Sequence, residues 1–175
     1  MELGRALSLI RPIPDYPKPG ILFQDITPLL ANGEAFEAVT AAISDIDDEA
    51  QIAIGVEARG FILASALANK RGIGFVPVRK KGKLPADTFS RNYGLEYGDD
   101  EVEIHKDAFV PGSKVTLIDD VLATGGTLEA AIALIGDAGG VITSIIVLLE
   151  IGSLGGRKRL EKVAPEISVH ALVVI

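Results

Sequence analysis

The feature that most constrains this chain is a set of short apolar runs that do not alternate with polar residues. Ile52-Ala53-Ile54-Gly55-Val56 is β-branched and continuous, and Val141 to Glu150 is apolar along most of its length. A strand with one face in water alternates, so unbroken runs predict strands covered on both faces. Gly74 to Val78, Lys114 to Ile118 and Ile167 to Ile175 read the same way. Helical spacing fills the gaps. Phe61 to Lys70 is one candidate; Leu128, Ala131, Ile132 and Ile135 mark a second, stopped by Gly139-Gly140; Arg157 to Val163 is a short third. Strand and helix in succession predict an α/β fold with a central parallel β-sheet flanked by helices.

Two regions break that rhythm. Residues 11–33 hold Pro12, Pro14, Pro17, Pro19 and Pro28, and read as an extended segment that packs as a cap. Residues 79–107 begin basic, turn acidic and contain no long apolar run, which predicts a mobile, hairpin-like loop. The 175 residues suit a single domain over 1–175 with a sizeable core.

Composition removes several function classes. Lys and Arg total 17 against 24 Asp and Glu, a formal charge of −7, which argues against nucleic acid as a partner. There is no Cys, so disulfides and thiolate zinc sites are excluded, and His105 and His170 are too few for a His-rich metal centre. The best apolar run, Val141 to Leu149, is short for a membrane span and contains Thr143 and Ser144. The first residues lack a signal-peptide core, so a cytoplasmic protein without a membrane partner is expected.

The most informative stretch runs from Val115 to Thr127. A buried strand delivers Asp119 and Asp120 near its carboxyl end, where open α/β sheets bind ligands. The turn Ala123-Thr124-Gly125-Gly126-Thr127 then opens a helix. Its hydroxyls, its glycine amides and the helix N-terminus all favour an anion, and a phosphate fits best. The two acids cannot hold that anion themselves. They suit the hydroxyls of an attached sugar, or a magnesium ion beside it. A Walker loop would need Lys where Thr127 stands, and no G-x-G-x-x-G is present. Without a ligand, the same letters would spell a strand, a glycine turn and an ordinary helix start.

Elsewhere, Glu57-Ala58-Arg59-Gly60 joins a strand to a helix and offers a second anion nest, with Arg59 as a charged fork. Arg79, Lys80, Lys81 and Lys83 form a dense basic run, suited either to a solvated face or to a polyanion such as pyrophosphate.

The Asp-Asp-x-x-Ala-Thr-Gly-Gly-Thr stretch resembles the phosphoribosyl pyrophosphate signature of the type I phosphoribosyltransferases. Further blocks are similar, in the same order, to the adenine branch of that family: Asp15-Tyr16-Pro17-Lys18-Pro19-Gly20, Phe23 to Leu30, Glu57 to Phe61, Arg79 to Pro85 and Leu95-Glu96-Tyr97-Gly98. The resemblance spans nearly the whole chain. It implies a Rossmann-like fold with a small N-terminal hood (1–33) and a flexible catalytic lid (79–107). It also implies a homodimer, Mg2+ carried by the substrate, and transfer of phosphoribose to adenine N9, giving AMP and pyrophosphate.

The resemblance assigns roles residue by residue. Asp119, Asp120 and Ala123 to Thr127 hold the ribose phosphate; Ala58, Arg59, Arg79 and Lys83 meet the pyrophosphate, with a cis peptide expected between Ala58 and Arg59. Leu22, Phe23, Gln24 and Ile151 hold adenine, although Gln24 replaces the Arg or Lys usual there. Glu96 manages the proton at adenine N7, with Tyr97 and Arg59 beside it in the catalytic set. Sequence chemistry alone does not separate Glu96 from Asp99, Asp100, Glu101 and Glu103. An enzyme for hypoxanthine, guanine or xanthine would need a donor to the 6-oxo group that Leu148 to Gly152 does not offer. A regulator that senses phosphoribosyl pyrophosphate would need an added basic module, for which the chain has no spare length.

Overall fold

The apolar runs become the middle of a seven-stranded sheet in the computed structural model, which describes residues 1–93 and 100–175. The chain divides into two units, residues 1–45 and 46–175. The first contains α1 (Leu3–Leu7), an antiparallel pair β1 (Arg11–Pro14) and β2 (Leu22–Asp25), α2 (Thr27–Ala31) and most of α3 (Gly33–Ile46). The proline-rich segment is thus a small hairpin and not merely extended chain. Asp25 ends it: its carboxylate accepts from the Thr27 amide and hydroxyl at 2.9 and 2.7 Å and pairs with Arg11. Those donors hold the Asp25 pKa down at about 2. Helix α3 has no counterpart in the sequence reading, though Ala35, Val39 and Ile43 recur at helical spacing and are buried.

The second unit holds β3 (Ile52–Val56), α4 (Arg59–Arg71), β4 (Gly74–Lys80), β5 (Thr88–Asn92), β6 (Glu101–His105), β7 (Lys114–Leu122), α5 (Gly126–Asp137), β8 (Val141–Glu150), α6 (Gly156–Val163) and β9 (Val169–Val174). Its strand order is β5-β6-β4-β3-β7-β8-β9. The five strands from β4 to β9 in that order are parallel, as their unbroken apolar content predicts. Strands β5 and β6 extend the sheet antiparallel from the end of β4, pairing Arg79 with Glu103 and Lys80 with Val102. The stretch 79–107 is therefore two ordered strands with residues 94–99 between them, not a loop from end to end. Their short, polar-rich sequences, Thr88–Asn92 and Glu101–His105, hid them from an apolar-run search.

Ile54, Leu117, Leu134, Ile145 and Val147 are among the side chains with no exposure in the core of this unit. Burial of a Leu or Ile side chain contributes roughly 1.5–3 kcal/mol, so these strands fix the register on which the loops depend. Among the described residues, no helix is long and apolar enough to cross a membrane.

Candidate functional site

Strand β7 runs farther than its apolar run, to Leu122, so Asp119 and Asp120 are strand residues near its carboxyl end. Strand alternation sends them to opposite faces. Asp119 is half-buried and accepts the Asp120 amide on Oδ1 at 2.8 Å. Asp120 is only 6% exposed, and its Oδ2 lies 2.7 Å from Arg59 Nη2 in an ion pair without hydrogen-bond geometry. Burial, and then the adjacent Asp120 charge, push the Asp119 carboxyl well above the usual carboxylate range. Burial also raises Asp120, against the opposing pull of Arg59. Two acids that resist ionisation at a strand end make a site waiting for hydroxyl donors or a cation.

Past Leu122 the chain turns through Ala123, Thr124 and Gly125, the last at φ +83°, and α5 begins at Gly126. A left-handed residue at a helix start suits Gly, since a Cβ there is strained. Asp119 and residues 121–128 surround a cavity of about 70 Å³, the size for a compact anion. The start of α6 backs onto this turn, Gly156 against Ala123, and the Arg159 side chain crosses Gly126. Arg159 in turn pairs with Glu129 of α5. Neither contact was found by sequence reasoning; the Gly155-Gly156 pair was the available signal. Ile151 reaches the same edge, its amide donating to the Leu122 carbonyl at 2.9 Å.

The turn after β3 stands next to β7. Helix α4 starts at Arg59, and Gly60 packs so tightly that a Cβ would lie 2.8 Å from the Ile118 carbonyl oxygen and 3.1 Å from Asp119 Oδ1. A side chain at 60 would push Arg59 away from Asp120. The cis peptide joins Glu57 to Ala58, one bond earlier than the expected Ala58–Arg59. Arg79 is the penultimate residue of β4; its Nη1 donates to the Lys83 carbonyl at 3.1 Å, and its guanidinium stands 5.9 Å from the Phe61 ring centre. Asp119, Asp120, Arg59, Ala58 and residues 123–127 thus share the carboxyl end of the sheet, where β4 also delivers Arg79 and the turn bearing Lys83.

Leu22, Phe23 and Gln24 lie on β2 of the first unit, exposed, half-buried and buried respectively, with Phe23 edge-on to Tyr16 at 5.1 Å. Glu96 and Tyr97 lie outside the described residues. His105 ends β6 and accepts the Ala86 amide at 3.4 Å, which pins the base of the 79–107 stretch. His170, on β9, lines a cavity at the opposite end of the sheet. Tyr93 was missed: burial, then the charges of Asp100, Glu57 and Asp119, raise its hydroxyl pKa.

Comparison with known proteins agrees with this geometry. The phosphoribosyl transferase domain model matches residues 25–173. The adenine phosphoribosyltransferase of Streptomyces avermitilis is 50% identical over 171 residues, covering 97% of this chain and 94% of that protein. The crystal structure of adenine phosphoribosyltransferase from Thermoanaerobacter pseudethanolicus superposes with a TM-score of 0.92 at 44% identity, covering 99% of each chain. The Giardia lamblia enzyme complexed with 9-deazaadenine gives 0.91 at 38% identity, covering 100% of this chain and 98% of that one. The chain belongs to the phosphoribosyl transferase family and, within it, to the adenine phosphoribosyltransferases, transferases of AMP-forming purine salvage.

Proposed function

We propose that this protein transfers the 5-phosphoribosyl group from phosphoribosyl pyrophosphate to N9 of adenine, releasing AMP and pyrophosphate. The observation that carries the reading is the acid pair of β7 leading directly into a phosphate-sized cavity at the start of α5. In this reading the 5′-phosphate occupies the cavity on the amides and hydroxyls of Ala123 to Thr127. The ribose hydroxyls donate to Asp119 and Asp120, which are then the charged acceptors that a transferring sugar keeps in place. Arg59 and Ala58 on one side, and Arg79 and Lys83 on the other, receive the pyrophosphate as it departs and gathers charge.

The donor set fits a magnesium that arrives on the substrate. Asp119 and Asp120 offer hard oxygens, but among the described residues no group of three or more His, Asp or Glu could cage an ion. When bound, the ion neutralises charge on the pyrophosphate oxygens. The base reading rests on the relatives, including the Giardia enzyme with 9-deazaadenine. Leu22, Phe23, Gln24 and Ile151 are assigned to the purine, and Glu96, with Tyr97 beside it, to the proton at N7. The stretch 79–107, read as the catalytic lid, keeps water from the cationic sugar. A homodimer in the cytoplasm completes the proposal.

The test is to supply adenine, hypoxanthine and guanine separately with phosphoribosyl pyrophosphate and Mg2+ and to identify the monophosphate formed. AMP as the only product is expected. Formation of IMP or GMP at a comparable rate would overturn the assignment of the base.

A further inference from the structure

Glu57 stands where the proposed pyrophosphate contacts converge, although a carboxylate there repels the ligand. Its side chain is only 17% exposed. The Glu57 amide donates to the Val78 carbonyl at 2.9 Å, which ties the end of β3 to β4. In return, Glu57 Oε2 accepts the Lys80 amide at 2.8 Å and lies 3.5 Å from Arg79 Nε. That Nε is buried and has no hydrogen-bond partner among the described residues, so the Glu57 charge is what compensates it. Arg79 then holds the Lys83 carbonyl, and Gly82 is held by the buried Glu103, whose Oε2 accepts its amide at 3.0 Å.

We infer that Glu57 is a positioning residue for pyrophosphate: it locks the turn carrying Ala58 and Arg59 to the turn carrying Arg79 and Lys83. The inference deepens the proposed function and rests on its reading of Arg79 and Lys83. The repulsion that Glu57 exerts on the ligand is smaller than the gain from aiming two cationic turns at one point. A flexible arginine loses rotamer freedom on binding; one already fixed by a half-buried carboxylate loses less.

The experiment compares Glu57→Ala, Glu57→Gln and Arg79→Ala in the intact protein. It reads KM for each substrate, kcat, and the Kd of magnesium pyrophosphate by calorimetry. Glu57→Ala is expected to raise both KM for phosphoribosyl pyrophosphate and Kd for pyrophosphate about tenfold, with KM for adenine within about twofold. Glu57→Gln keeps an acceptor for the Lys80 amide but loses the charge on Arg79, so about a threefold rise is expected. If Glu57→Ala does not fold, the Gln variant decides. Unchanged or tighter pyrophosphate binding by the Glu57 variants, with Arg79→Ala impaired, would overturn the positioning role alone. Unchanged binding by Arg79→Ala would overturn the underlying reading of the pyrophosphate side as well.

Discussion

Acids flank β7 at both ends, and their surroundings differ in kind. At the amino end, Asp47 accepts hydrogen bonds from the Thr143 and Ser144 hydroxyls on β8 and from the Glu49 and Ala50 amides. Ser144 extends the network to Thr116 of β7 at 2.9 Å, and Arg71 covers the neighbouring carbonyls of Asp48 and Ala50. Burial works against the Asp47 charge, but those donors outweigh it and hold its pKa below the usual range. At the carboxyl end, Asp119 and Asp120 have each other, the amides of Asp120 and Val121, and Arg59, yet burial outweighs these and both are pushed up. The amino end supplies its own donors and is stable when charged. The carboxyl end leaves the donors to be brought by a ligand, and the folded chain carries that deficit until one arrives.

The largest effect expected from this contrast is on binding. Asp120→Asn removes the charge that receives ribose hydroxyls, and hydrogen bonds to charged groups are worth roughly 1.5–3 kcal/mol. The Kd for AMP should rise about thirtyfold by calorimetry, whereas Asp47→Ala should leave it within about twofold. Equal losses from the two variants would erase the distinction between the two ends.

Stability gives the next effect, and it falls on the other end. Asp47→Ala removes the shared acceptor of two hydroxyls and two amides at a site that is 7% exposed, leaving the hydroxyls only their bonds to Thr116 and the Val115 carbonyl. A loss of about 2 kcal/mol is expected, a fall in Tm of roughly 4–8 °C for a chain of this size, with turnover at room temperature unchanged. A melting curve matching the parent's would mean that water replaces Asp47 without cost.

These two ends were not equally legible in the sequence. The acid pair, the glycine turn and the helix start are consecutive, so their chemistry could be read from one window of residues. The sheet was legible for a similar reason, because a strand buried on both faces announces itself locally. Asp47 was not legible. Its partners Ser144 and Thr143 are nearly a hundred positions away, and in the sequence it is one of several acids between Asp45 and Glu49. Glu57 was read only as part of a loop, since its work depends on Lys80 and Arg79 arriving from the next strand. The N-terminal hairpin and α2 were hidden by prolines, which mark a break in regular structure but not what lies on either side of it.

The smallest effect is also the sharpest test, because its sign is opposite to that of most substitutions in a site. Asp119→Asn keeps an oxygen for the Asp120 amide while removing the charge that burial and Asp120 disfavour. In the folded chain the pair's pKa is raised above the unfolded value of about 3.9. The native state therefore binds more protons than the unfolded one between that value and the raised one, and stability falls as pH rises through the window. Asp119→Asn escapes this fall. At pH 8 it should be more stable by on the order of 1 kcal/mol, a Tm gain of about 2–4 °C. The gain should shrink steadily towards pH 4.5, where the wild-type acid is increasingly protonated. Asp47 behaves inversely: its depressed pKa contributes stability above about 3.9 that is lost as pH falls through the folded value. A gain for Asp119→Asn that stayed flat from pH 4.5 to 8 would place its origin in packing, and the carboxyl end would then store no electrostatic deficit for a ligand to relieve.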